Sequence, residues 1–336
     1  MEEVRVAIVG CGLIGGKRAK SITALGHSVV ATADAVPERA AMLANSYPGC
    51  ASSGEWREVV TRADVDAVVV ATINDSLASI TLGAVEARKH VLVEKPAACS
   101  ADELRPVAAA ARNARVTVRV GFNHRFHPAL RKARELVDAG ACGPMMFVRG
   151  RYGHGGRIGY DREWRADPAL AGGGELLDQG VHLIDLTRWF LGDVTNASGF
   201  AGTFYWDMPV EDNGFVCTHH TGGQVGWLHA SCSEWKNLFC LEIYGKTGKL
   251  QIDGLGGSYG LERLAYYRML PQMGPPETTI WEYPGEDTSW NAEFRDFENA
   301  IAGVRGTGAT LTDAVAGLDV VARVYAQSAP AKPQAA

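Results

Sequence analysis

The chain has 336 residues, 46% of them hydrophobic and 21% charged, and a net charge of −5. That length is too great for one small core and fits two domains. The acidic balance, with no basic stripe, argues against nucleic-acid and membrane-surface partners, and no run of about 18 apolar residues is present to span a bilayer. A strand pattern begins almost at the N-terminus, which leaves no room for a signal peptide and predicts a cytoplasmic protein. The seven cysteines, at 11, 50, 99, 142, 217, 232 and 240, are odd in number and contain no CxxC pair. They read as mostly buried, reduced thiols and not as a disulfide framework or a thiolate zinc site.

"VRVAIVGCGLIGGKRAKSITAL" begins with an apolar strand, Val4 to Val9, followed by a glycine turn and a helix pattern. Gly10, Gly12 and Gly15 fit G-x-G-x-x-G. The first permits the tight turn, the second admits a pyrophosphate, and the third lets helix pack on strand. N–H groups at the helix start, around Leu13 and Ile14, are then placed to bind phosphates. A second strand, "SVVATAD", ends at Asp34, nineteen residues after Gly15. A carboxylate there accepts from ribose hydroxyls and repels a 2′-phosphate, so NAD is expected and NADP disfavoured. Three further strands ("VDAVVVAT", "HVLVEKP", "VTVRVGF") alternate with two helices ("SLASITLGAVEARK", "ADELRPVAAAARNA"). That alternation predicts a parallel sheet covered on both faces, a dinucleotide-binding domain over residues 1–121. Glu94-Lys95-Pro96 closes a strand where carboxyl-end loops line the ligand crevice. Lys95 there is a candidate to bond a substrate hydroxyl or to act as acid or base.

After a helix expected over Pro128 to Ala139 the pattern changes. Strand-like runs ("MMFVRGRY", "NGFVCTHH", "QVGWLHASC", "LFCLEIYG", "GKLQIDG", "RLAYYRM", "TTIWEYP") are joined mostly by glycine turns. They predict a large, mostly antiparallel open sheet in an α+β domain over 122–328. Two helices follow, and "APAKPQAA" (329–336) reads as a frayed tail. A sheet backed by helices on one face offers its other face to a partner, so a homo-oligomer is expected.

Between the first of these strands and the rest lies "GGGELLDQGVHLID", residues 172–185. On a regular helix of about 100° per residue, Glu175, Asp178, His182, Asp185 and Trp189 share an arc of about 80°. The stripe reads three ways: the solvent face of an amphipathic helix, a two-ligand metal site lacking an evident third ligand, or an acid/base device. Oxidation of a secondary alcohol needs a group to take the hydroxyl proton, and histidine suits that role near neutral pH. The three glycines would let backbone and substrate approach closely. No metal is expected.

Gly10-x-Gly12-x-x-Gly15, Glu94-Lys95-Pro96 and "GGGELLDQGVHLIDL", in that order, resemble the glucose–fructose oxidoreductase/inositol dehydrogenase/rhizopine-catabolism (Gfo/Idh/MocA) family. "FNHRFHPAL" and "W…EFRDFENAI" extend the resemblance over nearly the whole chain. It implies a Rossmann domain followed by a domain with a large open sheet, assembled as dimers or tetramers through sheet faces. It also implies Lys95, Asp178 and His182 as a catalytic trio with the substrate between the domains. His182 would be the proton acceptor, Lys95 would orient the reacting oxygen, and Asp178 would position its neighbours. Many members carry Thr-Pro-Asn-x-x-His after the third strand; here Thr72 and Asn74 match, while Ile73 and Leu77 replace the proline and histidine. Asn74 would still border the nicotinamide, and Thr72, Glu94 and Lys95 join the cofactor-side candidates.

The family implies a sugar, cyclitol or nucleotide-sugar substrate. "RGRYGHGGRIGYDREWR" adds arginines for a carboxylate or phosphate and aromatic faces for sugar C–H groups. Arg157, Trp164 and Arg165 are the substrate-side candidates, with Asn123 and Arg125 after the last Rossmann strand. The expected function is an NAD-dependent dehydrogenase of a ring secondary alcohol. The alternative is a redox-neutral enzyme that retains NAD for transient oxidation followed by epimerisation or elimination. A third possibility is a non-catalytic NAD-binding sensor, against which the intact lysine, aspartate and histidine speak.

Overall fold

The structure, a computed structural model, describes residues 3–328; the tail expected over 329–336 lies outside them. Two compact units make up the chain. The first takes residues up to Asn123 and also Trp290–Val315; the second takes His124–Ser289 and the rest of the C-terminal helix.

The first unit runs β1 (Arg5–Val9), α1 (Leu13–Ala24), β2 (Ser28–Ala33), α2 (Pro37–Ala44), β3 (Ala51–Ser53), α3 (Trp56–Val60), β4 (Ala67–Val70), α4 (Asn74–Glu86), β5 (His90–Glu94), α5 (Ala101–Ala114) and β6 (Val118–Gly121). Its six strands are parallel, in the order β3-β2-β1-β4-β5-β6. The runs "AIV" and "AVVV" form central strands because they are apolar on both faces, and every one of these side chains is buried. The order reverses between β1 and β4, the switch point at which parallel sheets open a crevice at their carboxyl ends. β3 lies outside the sequence reading, since "ASS" carries no apolar run.

The second unit begins with α6 (Pro128–Asp138) and β7 (Met145–Gly153), then α7 (Pro168–Ala171), a π-helical turn over Leu176–Gly180 and α8 (Val181–Leu191). Strands β8 (Val194–Gly202), β9 (Asn213–His220), β10 (Val225–Ser231), β11 (Leu238–Gly245), β12 (Gly248–Asp253), β13 (Glu262–Arg268) and β14 (Glu277–Tyr283) complete the sheet. The order is β14-β13-β12-β11-β7-β10-β9-β8, antiparallel except for β7 with β10. One face is apolar and buried: Val148, Tyr152, Leu228, Leu241, Ile243, Leu250, Ile252 and Leu264 point into it. In-register neighbours on the other face include Trp227, Cys217, Arg149, Glu242, Gln251 and Ile280; Trp227 is 60% exposed. The expected alternation is present, and β8 escaped it because "VTNASGFAG" offers only the small residues Ala197, Gly199 and Ala201 on its inward face.

Helices α9 (Ser289–Ile301) and α10 (Leu311–Gln327) end the described chain. The sequence reading gave 122–328 to a single domain, and here the structure differs. Phe294 and Phe297 of α9 are fully buried in the first unit's core with Val6, Ile8, Ile22, Val69 and Leu92. Burying two such rings is worth about 1.5–3 kcal/mol each, and this is the physical reason that residues 290–315 return to the Rossmann unit.

Candidate active site

The glycine turn meets each of its steric demands. Gly10 has φ +93°, and a Cβ on it would lie 2.4 Å from the carbonyl oxygen of Ala71 on the neighbouring strand end. A Cβ on Gly15 would lie 2.0 Å from the carbonyl oxygen of Gly10. Gly12 is the opposite case: no atom outside its chain neighbours comes within 4 Å of a Cβ built there. It begins α1 without a side-chain cap, and Leu13 behind it is 77% exposed. The first N–H groups of a helix have no intrahelical acceptor, so Leu13 and Ile14 present theirs beside an open glycine.

Asp34 completes this corner. Its Oδ2 accepts from the Cys11 N–H at 2.7 Å and its Oδ1 from the Val36 N–H at 2.9 Å. The carboxylate is thereby fixed beside the glycine turn, with lone pairs left for hydroxyl donors. An uncapped helix start, an open side at Gly12 and a pinned acid fit a dinucleotide whose ribose hydroxyls are free. Thr72 and Asn74 lie at the β4–α4 junction, where Ser76 donates to the Thr72 hydroxyl at 3.0 Å. Leu77, where the family pattern has histidine, is wholly buried.

Glu94, a cofactor-side candidate, is ion-paired in the structure. Nε and Nη2 of Arg18 reach its Oε1 at 2.7 and 2.6 Å, and Nη1 of Arg18 reaches Glu293 at 2.5 Å. Arg18 is fully buried beneath the indole of Trp290, 4.4 Å from the ring centre. A buried guanidinium must be paired, and this pairing claims the Glu94 carboxylate. Burial pushes Glu293 up to about 7, against the pull of Arg18. Lys95 follows in a tight turn closed by the Ala97 N–H donating to the Glu94 carbonyl at 3.0 Å. The Lys95–Pro96 peptide is cis, and Ala97 sits at φ +74°. The turn thus leaves Lys95 partly exposed between buried neighbours.

In the second unit the acid–histidine stripe is inside, not on a solvent face: Glu175, Asp178, His182 and Asp185 are 2%, 9%, 4% and 2% exposed. The segment is also not one regular helix. The π turn holds Asp178, and α8 begins after it with His182 in its first turn. π turns are uncommon and gather at functional sites. Two of the three glycines have a packing cause, and Gly172 ends α7 at φ +77°. A Cβ on Gly173 would lie 2.2 Å from the Tyr325 hydroxyl, and one on Gly174 2.0 Å from the Glu211 carbonyl. Glu211, buried and with its pKa raised by desolvation, accepts from the N–H groups of Gly174 and Leu176 and from the Tyr325 hydroxyl. Gly173 and Gly174 serve this anchor beneath the turn.

Asp178 accepts from Nε of Arg165 at 3.1 Å. Burial draws the Arg165 pKa down, but Asp178, Tyr160 and Glu163 outweigh it and the net direction is up. Arg165 lies over the Trp164 ring at 4.6 Å. The structure therefore joins Asp178, Arg165 and Trp164, and holds Arg157 at the periphery, paired to Glu163 at 2.6 Å. Burial, then Glu175 and Asp178, raises the Tyr160 pKa strongly. Tyr152 and Tyr259 are also raised, burial leading. All three phenols stay protonated donors near neutral pH. Asn123 is buried. Arg125, a substrate-side candidate, holds the two oxygens of Asp185 through Nε and Nη2 at 2.8 and 2.6 Å, both side chains buried. His124, Glu211 and Arg18 are site-supporting residues that periodicity gave no means to find, since their partners are distant in sequence.

Comparison with known proteins identifies the family. Residues 4–122 match the profile of the oxidoreductase family with an NAD-binding Rossmann fold, and residues 130–251 match the GFO/IDH/MocA C-terminal domain. Levoglucosan dehydrogenase of Pseudarthrobacter phenanthrenivorans is 28% identical over 64% of this chain and 58% of its own length. Inositol 2-dehydrogenase 2 of Saccharopolyspora erythraea is 33% identical over 56% of this chain and 54% of its own. The chain thus spans little more than half the length of these curated relatives. The crystal structure of GenD2 from gentamicin A biosynthesis, in complex with NAD, superposes with a TM-score of 0.82 at 26% identity, covering 97% of this chain and 94% of that one. With its NAD-binding domain and its C-terminal domain both matched, the chain belongs to the Gfo/Idh/MocA family of oxidoreductases.

Proposed function

We propose that the chain is an NAD-dependent dehydrogenase that oxidises a ring secondary alcohol of a sugar, sugar derivative or cyclitol. The observation that carries this reading is the burial of Asp178 and His182 around an uncommon π turn, with Asp178 tied to Arg165. A solvated stripe would need none of that. Two relatives act, by their names, on levoglucosan and inositol, which makes a polyhydroxylated ring the natural substrate class.

Bound NAD supplies the hydride acceptor. Leu13 and Ile14 N–H groups would meet its pyrophosphate and Asp34 its ribose. His182 takes the proton from the reacting hydroxyl as the carbonyl forms. Lys95 donates a hydrogen bond to that oxygen, and Asp178, oriented by Arg165, sets the direction of its neighbours. A homodimer or homotetramer through the open sheet face is part of the proposal, supported by exposed Trp227, Phe200 and Ile280 on that face.

The test is absorbance at 340 nm with NAD and a panel of hexoses, anhydrosugars, inositols, uronates and nucleotide sugars, with product masses read in deuterated buffer. NADH formation on one substrate, and turnover at least about 100-fold lower in Lys95→Ala and His182→Ala, is expected. Near-normal turnover in both variants removes the trio. Deuterated product without NADH selects the redox-neutral alternative.

A further inference from the structure

His182 is a ring on a flexible stem. The torsion that sets an imidazole plane is broad and roughly two-fold, so the side chain itself does not fix where its nitrogens point. Something outside must do so if the ring is to take a proton along one direction.

The segment Asn123–Phe126, a short 3-10 turn after β6, supplies it. The His124 imidazole lies against that of His182 with ring centres 3.7 Å apart and planes 19° from parallel. Both are buried, each 4% exposed. His124 is itself walled in by edges: Tyr152 at 5.0 Å, His127 at 5.7 Å and Phe239 at 5.8 Å. Tyr152 also meets His182 edge-on, at 6.0 Å and 77°. His127, in turn, is held by the Glu262 carboxylate at 2.9 Å. The next residue repeats the grip one turn along α8, where Arg125 binds Asp185 through two nitrogens. Two adjacent residues of the 3-10 turn thus hold two residues three apart on one helix face.

We propose that His124 is a positioning residue for His182: its flat face fixes the plane of the His182 imidazole and so the direction of proton transfer. The inference rests on the reading of His182 as the proton acceptor. A platform requires a plane, not a particular nitrogen, and this sets it apart from volume alone.

The test compares His124→Leu, which keeps volume and loses the plane, with His124→Phe, which keeps both. kcat and KM are measured with NAD and with levoglucosan or myo-inositol, His182→Ala running alongside. Misalignment of a reacting group costs up to about 100-fold, so His124→Leu should lower kcat about 10- to 100-fold with KM nearly unchanged, and His124→Phe should recover most of it. Equal kcat in Leu and Phe variants, or wild-type kcat in Leu, overturns the platform while a dead His182→Ala leaves the parent reading standing. An active His182→Ala removes both. Should neither probe turn over, carbon–proton correlation spectra of Cε1-labelled histidine in the NAD-bound enzyme decide. The His182 resonance, assigned by its loss in His182→Ala, should carry a ring-current displacement that Leu abolishes and Phe retains; a resonance unmoved by Leu overturns the stack.

Discussion

Arg18 and Arg125 are both buried arginines gripping carboxylates, one in each unit, and they are balanced differently. Arg125 holds both oxygens of Asp185 through two nitrogens. Arg18 meets two carboxylates, Glu94 and Glu293. One guanidinium cannot neutralise two buried acids, so the surplus is settled by a proton, and Glu293 is pushed up to about 7. The first arrangement is a fixed strut. The second is a strut whose charge follows pH.

Substitutions that break the two arginines sharpen this contrast. The largest expected effect is Arg125→Met, which takes the guanidinium from a buried carboxylate and should cost about 3–5 kcal/mol in denaturant unfolding. Arg18→Met should cost less, about 1–3 kcal/mol at pH 5, because Glu293 can take up a proton. Its penalty should grow toward pH 8, and a penalty flat with pH contradicts the surplus-proton account. The smallest effect is Glu293→Gln, within about 1 kcal/mol at pH 5. In the wild type the folded-state pKa of Glu293 is raised, so its contribution is fully present below the ordinary glutamate value near 4.5 and is lost as pH rises toward about 7. Glu293→Gln should flatten that fall, as read by thermal unfolding between pH 4.5 and 8.

Legibility in the sequence divides along similar lines. The parallel strands announce themselves as apolar runs, and the glycine turn by spacing, because local chemistry determines both. The alternating strands of the open sheet were readable for the same reason, apart from β8. Asp178 and His182 stood out as polar residues at helical spacing, although the regular 100° step assumed for them is broken by the π turn. What stayed hidden was every pairing across a long stretch of chain: Arg18 with Glu293, Arg125 with Asp185, His124 on His182, and Glu211 under Gly174. No periodicity records a partner 60 or 275 residues away. From the sequence Glu94 and Arg125 look available to a ligand, and the structure adds a buried counter-ion to each.

The return of α9 to the Rossmann unit has a consequence for the newborn chain. Arg18 and Glu293 are 275 residues apart, and at about 5–20 residues per second a ribosome needs on the order of half a minute to add that length. Throughout that interval the nascent first unit lacks Phe294, Phe297 and one of the two acids that flank Arg18. It leaves the exit tunnel as an unfinished domain, and its core closes only when residues 290–315 follow.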